Sequence, residues 1–285
     1  MDGLPEPTAL PLRCGLCRAG TLRASRGEGG MLRCDACPTA VSTDGGMVEL
    51  VPDFAARRTL GQALMEWPPV VAIYESRFWR RSPGAAWLLG ISFDREAECV
   101  LAALEPRGTM RVLDLACGSG LYSRAIAQRI PDGHVVALDL SPPMLAYAIA
   151  KARRERLANV TWVHGDAMHL PLADASVDAV NCCGALHLFP DPTRALAEIQ
   201  RVLAPDGRFV AAVARKPDGQ GAGAGLSARL AARSGIASWT EAEFQRRLGE
   251  AGFAHLACHH AGRAWMIWSA RKASLQSPAT PADGR

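Results

Sequence analysis

Two groups of residues in this 285-residue chain have types and spacings that could do chemistry. The first is a pair of C-x-x-C turns, Cys14 with Cys17 and Cys34 with Cys37, separated by residues 18–33. Each turn offers two sulfurs, and the loop between them lets the pairs converge on one tetrahedral zinc ion. Four protein thiolates leave no open coordination position, so such a zinc is structural and not catalytic. Four reduced thiols in a loop, or a ribbon that has lost its metal, are the plainer readings. The second group is the run Val112-Leu-Asp114-Leu-Ala116-Cys117-Gly118-Ser-Gly120, followed by Asp139 and by Gly165-Asp166-Ala167. Glycines between a strand and a helix let a ligand approach bare backbone, and the helix start adds unbonded N–H donors. A carboxylate at Asp139 can accept from both hydroxyls of a ribose, and one at Asp166 from an adenine amino group. Helix capping by Asp139 and an ordinary turn at Asp166 are the alternatives.

From Arg111 onward, short apolar runs alternate with amphipathic helices, the pattern of a parallel α/β sheet. Strands are expected at Arg111–Leu115, His134–Leu138, Val160–Val163, Val177–Cys182 and Arg208–Ala214. Helices are expected at Leu121–Ile130, Pro142–Leu157 (capped by Ser141), Thr193–Leu203 and Glu241–Ala251 (capped by Thr240). Phe253–His259 and Ala264–Ala270 face each other across a Gly turn and read as an antiparallel hairpin ending the sheet. Residues 1–12 read as a flexible arm, 13–53 as a zinc ribbon and 54–109 as a helical linker or cap. Residues 110–271 are expected to form the nucleoside-binding domain, and 272–285 a disordered tail. Helices are expected in the cap at Ala55–Trp67, Val70–Arg80 and Asp94–Leu104, with Ser82-Pro83-Gly84 as a break between the last two. A ribbon this short cannot bury enough apolar surface to fold alone, so metal would supply the missing folding energy.

The blocks VLDLACGSG, VVALDLSPPML, VHGDAMHLPLADASVDAV and IQRVLAPDGRFV, in this order over residues 111–214, resemble the class I S-adenosylmethionine (SAM) dependent methyltransferases. Their wording is closest to the branch containing the quinone and other small-molecule methyltransferases. The resemblance implies an α/β fold with a Rossmann-like seven-stranded sheet in the order 3-2-1-4-5-7-6, and SAM as cofactor. It also implies roles. Asp114 would hold the loop and help place the methionine amine, while Ala116, Cys117, Gly118 and Gly120 would border the methionine moiety. Asp139 would bind the ribose, Leu140 and Met144 would flank adenine, and Asp166 and Ala167 would read its edge. Cys183, at the exit of the fourth strand, joins this cofactor set. Ala116 departs from the glycine that many members carry there. The ribbon and the following DGGMVELVP are similar to zinc domains on some methyltransferases or their activator subunits. Two groups carry such a ribbon in one chain: rRNA guanine-N1 methyltransferases, and plastid and bacterial proteins of the quinone-methyltransferase type. The stretch VVAIYESRFWR resembles the second.

In this fold an acceptor sits over the exit of the fourth strand, here Asn181 to Phe189. The Asn-Pro-Pro-aromatic signature of exocyclic amino-group chemistry is missing there. His187 is the candidate base for a phenol, enol or acidic carbon, because imidazole titrates near neutrality; a packing or structural His is the equal alternative. Trp67, Tyr74, Phe78, Trp79, Trp87 and Phe93 could form an apolar lid that excludes water, or the ordinary core of a helical cap. Tyr74 is the lid residue expected to reach SAM and is grouped with His187 as catalytic. Methyl transfer depends mainly on alignment and desolvation, so no motif names the acceptor atom.

Composition bounds the rest. At 49% hydrophobic and 21% charged the chain is expected to fold, and no apolar run is long enough to span a bilayer. Nine Cys and an N-terminus without the features of an export signal point to a reducing compartment, the cytoplasm. A net charge of +4, with one basic cluster at Lys151, Arg153, Arg154 and Arg156, disfavours nucleic acid as a partner. The expected function is methyl transfer from SAM to an O or C atom of a small apolar or aromatic acceptor, natural-product or quinone-like. The alternatives are an rRNA (guanine-N1) methyltransferase whose ribbon grips RNA, and a non-catalytic SAM-binding scaffold.

Overall fold

The computed structural model describes residues 12–17, 19–24, 30–50, 82–216 and 237–273. The expected helices at 55–67 and 70–80, with Trp67, Tyr74, Phe78 and Trp79, lie outside these residues, as does the glycine-rich loop within 217–236.

The N-terminal module is a three-stranded antiparallel sheet of β1 (Leu22–Ala24), β2 (Met31–Cys34) and β3 (Ala40–Ser42). A 3-10 turn, Asp44–Gly46, leads from it to β4 (Met47–Glu49). Then come α1 (Pro83–Leu89), α2 (Phe93–Leu104), β5 (Arg111–Leu115), α3 (Leu121–Arg129), β6 (His134–Asp139), α4 (Pro142–Arg154) and β7 (Val160–His164). The chain continues through β8 (Val177–Cys183), α5 (Pro192–Val202), β9 (Leu203–Ala214), α6 (Glu241–Glu250), β10 (Phe253–Ala261) and β11 (Trp265–Lys272).

Local chemistry fixes most boundaries. Ser92 caps α2 by accepting from the Arg95 amide, and Ser141 caps α4 by accepting from Met144. Thr240 and Glu243 close a reciprocal capping box at α6. Ser82-Pro83-Gly84 is not the expected break but the start of α1: Ser82 accepts from the Ala85 amide and Pro83 takes the first helical position. A capped proline start and a helix-breaking turn share the same letters. Likewise β9 begins earlier than expected, at Leu203, and passes through a bulge between the pairs Val177↔Leu203 and Ala179↔Arg208.

The large sheet has the order β10-β11-β9-β8-β5-β6-β7-β4. Counted from β5, seven of its strands follow the expected 3-2-1-4-5-7-6 order, and of these only β11 runs against the rest, antiparallel to both β9 and β10. The eighth strand was not foreseen. β4 pairs in parallel with β7, Met47↔Trp162 through Glu49↔His164, so the chain leaving the module adds an edge strand to the large sheet, while β1, β2 and β3 keep a sheet of their own. Val48 and Leu50 are buried in the core that holds Leu138 and Val163. Leu12, expected in a flexible arm, is buried too and bridges to Leu172. Central strands are apolar on both faces because both are covered. On one side α2, α3 and α4 pack through residues such as Leu104, Ile126 and Leu145. On the other side lie α5, α6 and the N-terminal module, through Leu196, Phe244 and Leu32. Among the described residues no helix is long and apolar enough to cross a membrane.

Candidate active site

Parallel strands end side by side, and the carboxyl ends of β5, β6, β7 and β8 open one cleft enclosing about 1160 Å³ of space continuous with solvent. Its floor is the loop after β5. Ala116, Gly118 and Gly120 all adopt left-handed backbone, with φ of 54°, 53° and 73°. Ala116 thus keeps the conformation of the glycine it replaces, at a cost of about 1–2 kcal/mol for an L residue. Gly118 presents bare backbone on the cleft wall, and a side-chain carbon there would meet nothing within 4 Å. Gly120 is not on the wall. A Cβ at Gly120 would lie 2.7 Å from Ala148 and 2.8 Å from the Trp162 ring, so this glycine lets α3 approach α4 and β7. Gly120→Ala should cost about 2–4 kcal/mol, backbone strain plus overpacking, read by urea unfolding. An unchanged unfolding midpoint would refute this packing role.

Asp139 ends β6 and crosses to the loop. Its Oδ2 accepts from the Gly118 amide at 2.7 Å and its Oδ1 from the Ser141 amide at 2.8 Å. The carboxylate pins the loop, caps the next turn and lines the cleft, where a carboxylate can accept from a ligand's hydroxyls. Asp114 is buried beneath it, accepting from Ser123 Oγ at 2.5 Å and from Asn181 Nδ2 at 2.7 Å. Burial pushes the Asp114 carboxyl up to about 6 against the pull of those two donors, and the Asp139 charge adds to the push. Ser123 and Asn181 were missed from the sequence. The signal was a polar Asn in an otherwise apolar buried strand.

Across the cleft, Asp166 closes its own turn: Oδ1 accepts from the Met168 amide at 3.0 Å, and Oδ2 lies 3.1 Å from His169 Nδ1. Ala167, Leu140 and Met144 line the same side. Cys117 and Cys183 also line the cleft, and burial raises both thiols far above their usual range, so they stay neutral. Cys183 donates to Asn181 Oδ1.

The β8 exit contributes Gly184, Ala185, Leu188 and Phe189 to the lining, and Phe93 and Leu121 add further apolar surface to the same cleft. His187 is not on the wall. Residues 186–188 form a 3-10 turn, in which positions three apart share a side. Ala185 and Leu188 take the cleft side, and the His187 ring instead meets Trp265 in a T-shaped contact at 5.3 Å. Trp87, a lid candidate, is 67% exposed and lies under the Arg263 guanidinium at 4.8 Å from its ring centre. Phe93 does line the cleft, next to Tyr122, whose hydroxyl donates at 2.9 Å to the fully buried Glu96. Neither Tyr122 nor Glu96 was singled out from the sequence. An acid at position 96, on the apolar face of α2 with Phe93, Val100 and Leu104, was the available clue.

In the N-terminal module the four cysteine sulfurs lie within 4.8 Å of one another, the Cys14–Cys37 pair at 3.7 Å and Cys17–Cys34 at 3.6 Å. A tetrahedron with Zn–S arms near 2.3 Å has edges of about 3.8 Å, so the donor set fits zinc. Amides of Gly20 and Ala36 point at Cys17 and Cys34 Sγ. A Cβ on Gly20 would fall 2.3 Å from Cys34 Sγ, so that cradle admits only glycine. The Thr39 hydroxyl holds the Cys37 thiol down at about 6, favouring the thiolate a metal requires.

Comparison with known proteins agrees with this geometry. Residues 113–211 match the family described as "Methyltransferase domain". An uncharacterized chloroplastic methyltransferase of Arabidopsis thaliana is 32% identical over 196 residues, covering 66% of this chain and 54% of that protein. A demethylmenaquinone methyltransferase of Lactiplantibacillus plantarum is 38% identical over 120 residues, covering 41% and 51%. The chain spans about half the length of these curated relatives. A SAM-dependent methyltransferase from Aquifex aeolicus shares the fold, with a TM-score of 0.54 at 22% identity over 72% of this chain and 98% of that one.

Proposed function

We propose that this chain, a member of the class I SAM-dependent methyltransferases, moves the methyl group of SAM to an oxygen or carbon of a small, largely apolar aromatic acceptor of hydroquinone type. The observation that carries the reading is the mixed lining of one cleft: the carboxylates Asp114, Asp139 and Asp166 share it with the apolar Phe93, Leu121, Ala185, Leu188 and Phe189. The relatives described as demethylmenaquinone methyltransferases act on an acceptor of that chemistry by name.

Asp139 would hold the ribose of SAM, with Leu140 and Met144 against adenine and the backbone of Ala116 and Gly118 beside the methionine. Bound there, SAM supplies an electrophilic methyl on a sulfonium. The chain's own share is to align the acceptor and to keep water out, which the apolar lining does. Cys14, Cys17, Cys34 and Cys37 would hold one structural Zn²⁺, giving the module metal–sulfur bonds in place of a core of its own.

The test is direct. Calorimetry should find SAM binding, and Asp139→Ala should weaken it by about 10–100-fold, the loss of a charge-assisted bidentate contact. Labelled methyl should pass to a short-chain 1,4-naphthohydroquinone. Transfer to rRNA fragments and none to the hydroquinone would replace this reading with RNA modification.

A further inference from the structure

We propose that α1 and the β10–β11 turn form a rim that docks on an anionic lipid surface, from which an apolar acceptor enters the cleft. The choice of lipid as the partner rests on the proposed function, because a largely apolar hydroquinone partitions into bilayers.

α1 is unlike the other helices. The other five described α-helices each bury at least two residues, and α1 (Pro83–Leu89) buries none. It nevertheless carries Trp87 and Leu88, 67% and 57% exposed, two of the three exposed large apolar side chains among the described residues. A lone apolar residue on a surface is ordinary, but an adjacent Trp–Leu pair on a helix that hides nothing marks a contact surface.

The rim stands at the edge where the cleft opens. Gly90 ends α1 in left-handed backbone, with φ of 78°, and a Cβ there would lie 2.8 Å from the Arg263 amide nitrogen. A Cβ on Gly262 would lie 2.5 Å from the Leu89 carbonyl oxygen, so the helix end and the turn press backbone to backbone. Trp265 pairs with Ala214, the last residue of β9, and β9 runs parallel to β8. The turn before Trp265 therefore lies at the carboxyl edge of the sheet. Just past Gly90, Phe93 lines the cleft itself.

The charge of the rim is complementary to anionic lipid. Arg263 is exposed, its guanidinium 4.8 Å from the Trp87 ring centre, and it forms no ion pair among the described residues. Glu241 is paired with Arg215, which also donates to the Gly262 carbonyl, and Glu98 of α2 is paired with Arg95. From Ser76 to Phe93 the sequence holds Arg77, Arg80 and Arg81 and no acid. Tryptophan rings settle at the headgroup level of a bilayer, and each basic side chain beside an anionic leaflet adds attraction. The basic cluster of Lys151, Arg153, Arg154 and Arg156 stands at the opposite edge, because α4 returns from the end of β6 to the start of the parallel β7.

Co-sedimentation of the full chain with vesicles of phosphatidylcholine and phosphatidylglycerol tests the rim. Wild type should bind, and Trp87→Ala and Leu88→Ala should each weaken partitioning about tenfold. Arg263→Gln should weaken it about fivefold on these vesicles and leave binding to pure phosphatidylcholine unchanged. Arg153→Gln with Arg154→Gln should have no effect at physiological salt, which screens charges on the far edge. S-adenosylhomocysteine affinity should be the same in all of these variants, since none of the side chains lines the cleft. Vesicle binding that ignores Trp87→Ala and Leu88→Ala, or that needs Arg153 and Arg154 instead, would overturn the rim. So would a wild type that binds no vesicles, or one that self-associates and becomes monomeric on Trp87→Ala, because a second copy would then cover the helix. Each of these results leaves the proposed function standing. A wild type that docks through the rim yet never methylates a 1,4-naphthohydroquinone, free or in the vesicle, would support the docking surface and overturn the proposed function.

Discussion

Wild-type protein is expected to carry one Zn²⁺ per chain, and Cys34→Ser to carry none, by elemental analysis of purified material. The four sulfurs already sit at the spacing of a tetrahedral site. Structural zinc in small ribbons is worth about 10–16 kcal/mol, and that binding energy is also folding energy. The module's strands are three or four residues long, and its apolar residues Leu12, Leu22, Leu32 and Val41 pack into the main core. Without metal, hydrogen exchange should therefore quicken across residues 12–50 while β5, β6 and β8 stay protected. The loss should also be felt in the cleft. Leu50 N donates to His164 O, Arg13 N to Pro171 O, and His164 bridges Glu49 to the Leu140 carbonyl, so the module flanks the segment carrying Asp166 and Ala167. SAM affinity should fall several-fold. Protein isolated without zinc but with slow-exchanging amides at 12–50 would show that the sulfurs hold the module unaided.

The second large effect follows from Asp114. Its folded carboxyl titrates at about 6 against an ordinary 3.8. Below 3.8 the folded and unfolded chains are both protonated. Between 3.8 and 6 the unfolded carboxyl ionises while the folded one keeps its proton, so stability of the ligand-free protein falls as pH rises and levels off above 6. Two pKa units correspond to about 3 kcal/mol. A cationic ligand over the loop favours the ionised form, so SAM affinity should climb with pH over the same window and binding should release a proton near pH 5. Asp114→Asn should flatten both curves. It should also weaken binding by at least tenfold, because Ser123 and Asn181 donate to different oxygens of Asp114 and an amide replaces one of those acceptors with a donor. Thermal midpoints and affinities that do not vary between pH 5 and 7.5 would refute the assignment.

What could be read from the letters was what local chemistry decides. Strand positions followed from the apolar runs, the order in the sheet from the family resemblance, and Ser141 and Thr240 cap the helices assigned to them. The cleft loop was legible because glycines must stand where the backbone turns left-handed. Contacts between distant segments were not legible. Gly120 looked like a ligand glycine, yet its neighbours are Ala148 and Trp162. His187 was one position out of phase with the side of a 3-10 turn that faces the cleft. Tyr122 and Glu96 stand 26 residues apart, and either alone reads as an ordinary amphipathic position. β4 was too short to show a period of its own, and its partner β7 is more than a hundred residues away.

That short strand also guards against self-association. β10, at the far margin of the sheet, breaks register twice and offers a poor template to another chain. β7 is regular, and without β4 its outer row of N–H and C=O groups would invite a strand from a neighbouring molecule. β4 occupies that row along three residues, tethered by the cysteine-bearing module. A truncated version beginning after the module would keep the catalytic strands yet expose a sticky flank. Its expected fate is clumping, which light scattering on the truncated protein would read; a truncated protein that stays monomeric would refute the guarding role of β4.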